Sequence, residues 1–223
     1  MSITVAIDGP SGAGKSSLAK RLSAELGYLY VDTGAMFRAV GLYAMRAGHD
    51  PADQQAVAAL LPEITLSLAH VEGAQHIYLN GEDVSEVIRQ EKAGMAASAV
   101  GSNPAVRAFL LEQQRAIAAE NDIIMDGRDI GTVVLPNATV KIFLTATPEA
   151  RAERRHRELL AKGSTETYEK VLEDIRQRDW QDTHRETAPL RQAEDAVLAD
   201  TSELDIEQSY ALLKSIIAEK AGV

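Results

Sequence analysis

Eight residues near the start constrain this chain more than any other feature. Gly9-Pro10-Ser11-Gly12-Ala13-Gly14-Lys15-Ser16 sets glycines, a lysine and a hydroxyl at the spacing of a P-loop. A short apolar run, Ile3 to Ile7, precedes it. Lys15 to Leu26 follows, with Leu18, Leu22 and Leu26 four apart and Gly27 as a helix stop. Glycines let successive backbone N–H groups turn toward phosphate oxygens, and the helix N-terminus adds the positive end of its dipole. In such a loop Lys15 reaches the outer phosphates and the Ser16 hydroxyl faces Mg²⁺. The competing reading, a glycine-rich turn with a chance lysine, is disfavoured by the flanking strand and helix. The loop alone does not say what happens to the phosphate, because kinases, GTPases, motors and regulators all use it. The chain has no Asn-Lys-x-Asp for reading guanine, which leaves ATP as the expected donor.

The remaining pattern predicts an α/β fold with a five-stranded parallel sheet and flanking helices. Tyr28 to Val31 reads as the second strand, and Ala35 to Ala47 as a helix ending at Gly48. Asp50-Pro51 reads as a helix start, with Asp50 as N-cap and Pro51 at the first helical position. From about 63 to 84 the pattern alternates with period two, breaks at Glu72-Gly73 and carries an Asn80-Gly81 turn. This predicts a small antiparallel insert of two or three strands. Ala93 to Gly101 is helical, and Asn103-Pro104 starts a helix to about Glu120. Asp122 to Met125, Val140 to Leu144 and Ala196 to Leu198 supply the other strands. Thr147-Pro148 opens a helix broken at Gly163-Ser164, and Tyr168 to about Glu186 forms another. Asp205 to Lys220 is amphipathic, with Ile206, Tyr210, Leu213 and Ile217 on one stripe.

Composition sets the outer limits. The chain has 223 residues, enough for one domain or one domain with an insert, and 45% hydrophobic with 25% charged residues excludes wholesale disorder. With no cysteine, disulfides, thiol nucleophiles and Cys-based zinc sites are out. A net charge of -10 argues against holding a long nucleic-acid duplex, although a local arginine cluster still suits a small anion. No signal-peptide pattern is seen, and no run nears the ~18 apolar residues of a membrane span. The expectation is a cytoplasmic enzyme that avoids membranes, with no obvious apolar patch to make it more than a monomer.

Candidate acceptor residues fall after strands, where a parallel sheet binds its ligands. Asp32-Thr33-Gly34-Ala35-Met36-Phe37-Arg38 follows the second strand, with Arg38 one helical turn past the loop to meet an anion. Asp126-Gly127-Arg128-Asp129 follows another: Asp126 near Mg²⁺, Arg128 on phosphate and Asp129 on a base, or an ordinary turn with an internal ion pair. Arg151, Arg154, Arg155 and Arg157 crowd one helix. They await an anion or pair with Glu149, Glu153 and Glu158 on a solvated face. Arg178, Asp182 and Arg185, spaced i, i+4, i+7, share a face that is either a salt bridge or a ribose and phosphate contact.

Four stretches together resemble the bacterial cytidylate kinase family along nearly the whole chain: IDGPSGAGKS at 7–16, DTGAMFR at 32–38, DGRDIGTVV at 126–134 and RDWQDTHRETAPL at 178–190. The resemblance implies that ATP, with Mg²⁺, phosphorylates CMP or dCMP. It implies that Gly9, Pro10, Ser11, Gly12, Ala13, Gly14, Lys15, Ser16 and Ser17 hold ATP, with Arg154 joining them from the lid. Thr33 and Arg38 would meet the acceptor phosphate or its neighbourhood, and Arg128 and Arg185 would close on that phosphate. Ser98, Arg107 and Asp129 would read cytosine, and Arg178 and Asp182 would contact the ribose. Lys15, Arg128 and Arg185 would be catalytic. The implied fold is a parallel sheet of the P-loop kinase type, laid out as a core of 1–34, 105–150 and 189–223, an acceptor domain of 35–104 and a short helical lid of 151–188. Thr33 stands where the family pattern has serine, which keeps the hydroxyl, and Phe37 where it has tyrosine, which removes one. The rivals are another small-molecule P-loop kinase and a non-catalytic ATP-dependent switch.

Overall fold

The computed structural model describes residues 2–71 and 74–222, so the break expected at Glu72-Gly73 lies outside the described residues. In chain order the elements are β1 (Thr4–Asp8), α1 (Lys15–Leu26), β2 (Leu29–Asp32), α2 (Thr33–Arg46), α3 (Gln54–Leu60), β3 (Leu66–Val71), β4 (Ala74–Leu79), β5 (Glu82–Asp83), α4 (Glu91–Val100), α5 (Pro104–Glu120), β6 (Ile123–Gly127), β7 (Val140–Thr145), α6 (Pro148–Ala161), α7 (Tyr168–His184), β8 (Val197–Asp200) and α8 (Ile206–Ala221). The chain divides into two compact units, Met1–Leu29 with Asn121–Val223, and Tyr30–Glu120. The division falls inside β2.

A five-stranded parallel sheet has the order β2-β6-β1-β7-β8, with β1 at its centre. Its strands are near-continuous apolar runs because helices cover both faces. Val5, Ala6, Ile7, Ile123, Ile124, Met125, Ile142 and Leu144 are all buried. Leu18 and Leu22 of α1, and Leu213 and Ile217 of α8, complete this core. Ile206 does not share the buried stripe expected for it. It is the first residue of α8, beside the capping box of Asp205 and Gln208, and 53% of it is exposed.

The unit of residues 30–120 packs α2, α4 and α5 beside a three-stranded antiparallel sheet, β3-β4-β5. Its core gathers Met36, Val40, Val57, Ile77, Leu79, Val100, Val106 and Leu110. Gly41 lets α2 and α4 meet closely, since a Cβ there would lie 2.7 Å from that of Ala96. The helix start expected at Asp50-Pro51 is instead a turn. Asp50 accepts from Ala52 N and Asp53 N, a role that Asp followed by Pro favours. Asp53 is the N-cap of α3, accepting from Gln55 N and Ala56 N.

Candidate active site

The register of the central strand assembles the first half of the site. Asp8 lies opposite Gly127 on one side and Phe143 on the other, so the loops after β1 and β6 leave the sheet at the same edge. Gly9 turns the chain there with φ 150°. A Cβ would lie 1.9 Å from the Leu144 carbonyl oxygen, so no other residue fits without moving the backbone. Lys15, the first residue of α1, is buried and donates from Nζ to the carbonyls of Gly9 and Pro10, each at 2.8 Å. Burial, then the nearby Arg128, bring its pKa down to about 7, against the pull of Asp126, Asp182 and Asp8. Both of its contacts are acceptors, which suits the protonated amine.

Ser16 donates from Oγ to Asp126 Oδ2 at 2.9 Å. A hydroxyl and a strand-end carboxylate side by side are the hard oxygen donors that Mg²⁺ takes alongside nucleotide phosphates, so these residues fit the ion. No group of three or more His, Cys, Asp or Glu suited to a metal occurs among the described residues.

Asp8, which precedes the P-loop pattern and takes no role from it, accepts from Ile130 N at 2.8 Å and Gly131 N at 2.7 Å. Burial, and then the charge of Asp129, raise its pKa to about 6, although the two N–H groups and Lys15 favour the anion. These bonds tie β1 to a single π-helical turn, Ile130–Val134, that directly follows Arg128 and Asp129. Arg128 donates from Nε to Asp182 Oδ2 at 2.7 Å and from Nη1 to Gly127 O at 3.2 Å. Burial disfavours the charges of both Arg128 and Asp182, yet their pairing wins: the guanidinium lies above its ordinary pKa and the carboxyl below. Arg178, half-buried on α7, is lowered by burial and by the charge of Arg128.

Arg185 is not on the helix face expected for it. α7 ends at His184, and Arg185 is its C-cap in extended conformation (φ -64°, ψ 142°). Ala188 at φ 49° and Pro189 turn the chain back, and Leu190 N donates to Asp182 O at 2.8 Å. The fold-back lets Arg185 Nε donate to Ala188 O at 2.7 Å, with Nη2 3.6 Å from Asp129 and Nη1 4.0 Å from Asp182. The unit of residues 1–29 and 121–223 thus brings together Lys15, Ser16, Asp126, Arg128, Asp129, Arg178, Asp182 and Arg185.

The arginines of α6 separate into distinct roles. Arg151 is buried against the phosphate loop, and Arg154 donates to the carbonyls of Thr201 and, at 3.2 Å, Leu204. Arg155 pairs with Glu158 and Arg157 with Glu153 on the exposed face. Glu149, expected as a partner within α6, pairs instead with Arg176 of α7 at 2.7 Å, because α6 and α7 pack together.

The unit of residues 30–120 carries the rest. Asp32 caps α2, one carboxylate oxygen accepting from Ala35 N at 3.0 Å and the other from Arg38 at 2.6 Å. Thr33 is buried at the first position of α2. The buried Arg38 Nε has no hydrogen-bond partner among the described residues. Arg107 donates to Gly101 O at 3.0 Å, and its guanidinium lies over the Phe37 ring, 5.4 Å from the centroid. A phenyl face serves this cation–π contact as well as a phenol would. Ser98 lies half-buried on α4.

A family model described as cytidylate kinase matches residues 5–219. The chain belongs to the cytidylate kinase family. A cytidylate kinase of Geobacillus kaustophilus (strain HTA426) is 47% identical over 220 residues, covering 99% of this chain and 98% of its own length. One from Geobacter sp. (strain M21) is 49% identical over 218 residues, covering 98% and 94%. Among solved structures, an uncharacterized protein from Eubacterium ventriosum ATCC 27560 shares the fold alone, with a TM-score of 0.55 and 11% identity over 98% of this chain and 99% of that one. Membership of the cytidylate kinase family makes the chain an ATP-dependent phosphotransferase. Among the described residues no helix is long and apolar enough to cross a membrane.

Proposed function

We propose that the enzyme transfers the γ-phosphoryl group of ATP to CMP or dCMP, giving ADP and CDP or dCDP. The observation that carries this reading is the set of guanidinium groups beside the phosphate loop, Arg128, Arg178 and Arg185, which exceeds what ATP alone requires. The acceptor is a phosphate oxygen, already anionic at neutral pH because its second pKa is about 6. No general base is needed. The task is to bring two polyanions together in line and to keep water out.

Gly9 to Ser17 hold the ATP phosphates, with Arg154 joining from the lid, and Lys15 leaves the carbonyls of Gly9 and Pro10 to reach the outer phosphates. Ser16 and Asp126 would hold Mg²⁺ together with ATP, and the bound ion would supply neutralisation of the phosphate charge. Thr33, Arg38, Arg128 and Arg185 take the acceptor phosphate. When that phosphate arrives on Arg128, Asp182 is released from its pair and accepts from the ribose beside Arg178. Asp129 accepts from the cytosine N4 amino group, and Arg107 and Ser98 serve its other edge. Uracil presents an oxygen where cytosine presents N4, and a mispaired buried polar group costs about 1–3 kcal/mol. The functional layout is a core of 1–34, 105–150 and 189–223, an acceptor domain of 35–104 and a lid of 151–188.

The deciding experiment is a coupled ADP-release assay with ATP and a panel of CMP, dCMP, UMP and AMP. CMP and dCMP should lead the panel by kcat/KM. A lead by AMP or UMP, or ATP hydrolysis without transfer, would overturn the reading.

A further inference from the structure

We infer that Arg151 and Asp179 form a strut that orients the phosphate loop and so governs ATP affinity, with neither residue touching the reacting atoms. By sequence alone Arg151 belongs with three neighbouring arginines to an anion site or a solvated face. Its position is neither. Its side chain is 3% exposed, and every guanidinium nitrogen is engaged inside the protein. Nε donates to Ala146 O at 2.8 Å at the end of β7. Nη1 and Nη2 grip the two oxygens of Asp179 on α7 at 2.9 and 2.6 Å, a fork that lysine cannot make.

The remaining contact reaches the loop itself: Nη1 donates to the carbonyl of Ser11 at 3.0 Å. A trans peptide is planar, so its carbonyl and the following N–H point opposite ways. Holding the Ser11 carbonyl against Arg151 therefore turns the Gly12 N–H to the other side, the side on which a P-loop presents N–H groups to phosphate. The loop is also packed against the arginine stem. Gly12 has φ +77°, and a Cβ there would sit 3.4 Å from Arg151 Cβ. Asp179 fixes the guanidinium plane, so the loop, β7, α6 and α7 meet in one buried fork. ATP binding thereby comes to depend on a carboxylate of α7 that faces no substrate.

The inference rests on the loop being the ATP site, and direct ATP binding separates its failure from that of the acceptor assignment. The experiment is calorimetric titration of ATP and Mg²⁺ into wild type, Arg151→Lys, Asp179→Asn and the double variant, without acceptor. The KM for CMP is then measured at saturating ATP. The ATP Kd should rise about 10-fold or more in Arg151→Lys and by a smaller factor in Asp179→Asn. The double variant should bind no worse than Arg151→Lys, because the two residues act as one unit. The KM for CMP should move by less than about 2-fold. An ATP Kd within about 2-fold of wild type in folded variants, additive losses in the double variant, or equal losses for ATP and CMP would each overturn the strut. Should Arg151→Lys fail to fold, Asp179→Asn alone decides, by the same threshold. Wild-type protein that binds ATP but leaves CMP unphosphorylated would refute the acceptor assignment and leave the strut to the Kd values.

Discussion

Replacing Asp8 by asparagine should change how stability responds to pH, by an amount the structure specifies. Asp8 is 5% exposed and titrates near 6 in place of 3.8, because burial disfavours its charge more than two backbone N–H groups and Lys15 favour it. A carboxyl whose pKa is raised by folding binds more protons in the folded state, so its contribution to stability is full below the unfolded pKa and is lost as pH rises through about 6. Between about pH 7.5 and pH 5 the two pKa values imply that wild type gains about 1.4 kcal/mol from this one group. Asparagine does not titrate. It also leaves one of the two N–H groups facing an amide, but that loss is the same at both pH values and cancels in the comparison. The charged groups facing Asp8 include Lys15, Asp129 and Arg128, and all three remain in the variant; Lys15, at about 7 and pulled up by Asp8, falls further without it, which adds to the difference in the same direction. Urea unfolding of both proteins at the two pH values gives the double difference directly. Wild type should gain about 1.4 kcal/mol on the variant at the lower pH, and a double difference below about 0.3 kcal/mol would refute the reasoning.

Other substitutions test the remaining assignments. Lys15→Ala should lower kcat by more than about 100-fold while leaving the melting temperature unchanged or raised, because burial already disfavours its charge. Steady-state turnover and a thermal melt check this together. Asp129→Ala should cut kcat/KM for CMP by about 5- to 150-fold and for UMP by less, so the ratio of the two falls; an unchanged ratio would make Asp129 only the buried partner of Arg185. Arg157→Ala should keep kcat within about 2-fold of wild type, since its pair with Glu153 lies on the exposed face of α6. A larger loss would show that this arginine reaches a substrate when the lid closes.

Local chemistry made much of the fold legible. The P-loop spacing, Gly27 as the left-handed stop of α1, Thr147-Pro148 opening α6 and Asp205 capping α8 all act within a few residues of chain. Motif matching also singled out Arg128, Asp182 and Arg185, but not how they meet. The i, i+7 spacing put Arg185 on α7, whereas the turn through Ala188 and Pro189 takes it off the helix and back toward Asp129. Asp50-Pro51 misled in the same way. It has the letters of a helix start, and a competing turn places the cap three residues later at Asp53.

By itself the sequence determined the strand–loop–helix unit, the succession of strands and helices along the chain, the antiparallel insert and the family, whereas the strand order β2-β6-β1-β7-β8 came from the structure. The elements follow from periodicity, turn chemistry and capping, whose energies are settled among near neighbours, and the family follows from the four motif stretches. Only the tertiary structure decided which charges are partners. Asp8 meets residues 130 and 131, Arg151 meets Ser11 and Asp179, and Asp126 meets Ser16. Four arginines in seven residues look alike as letters. Burial distinguishes them, because a guanidinium removed from water must find acceptors for its donors, and those acceptors lie where the sheet edge and the packing of α6 on α7 bring distant segments together.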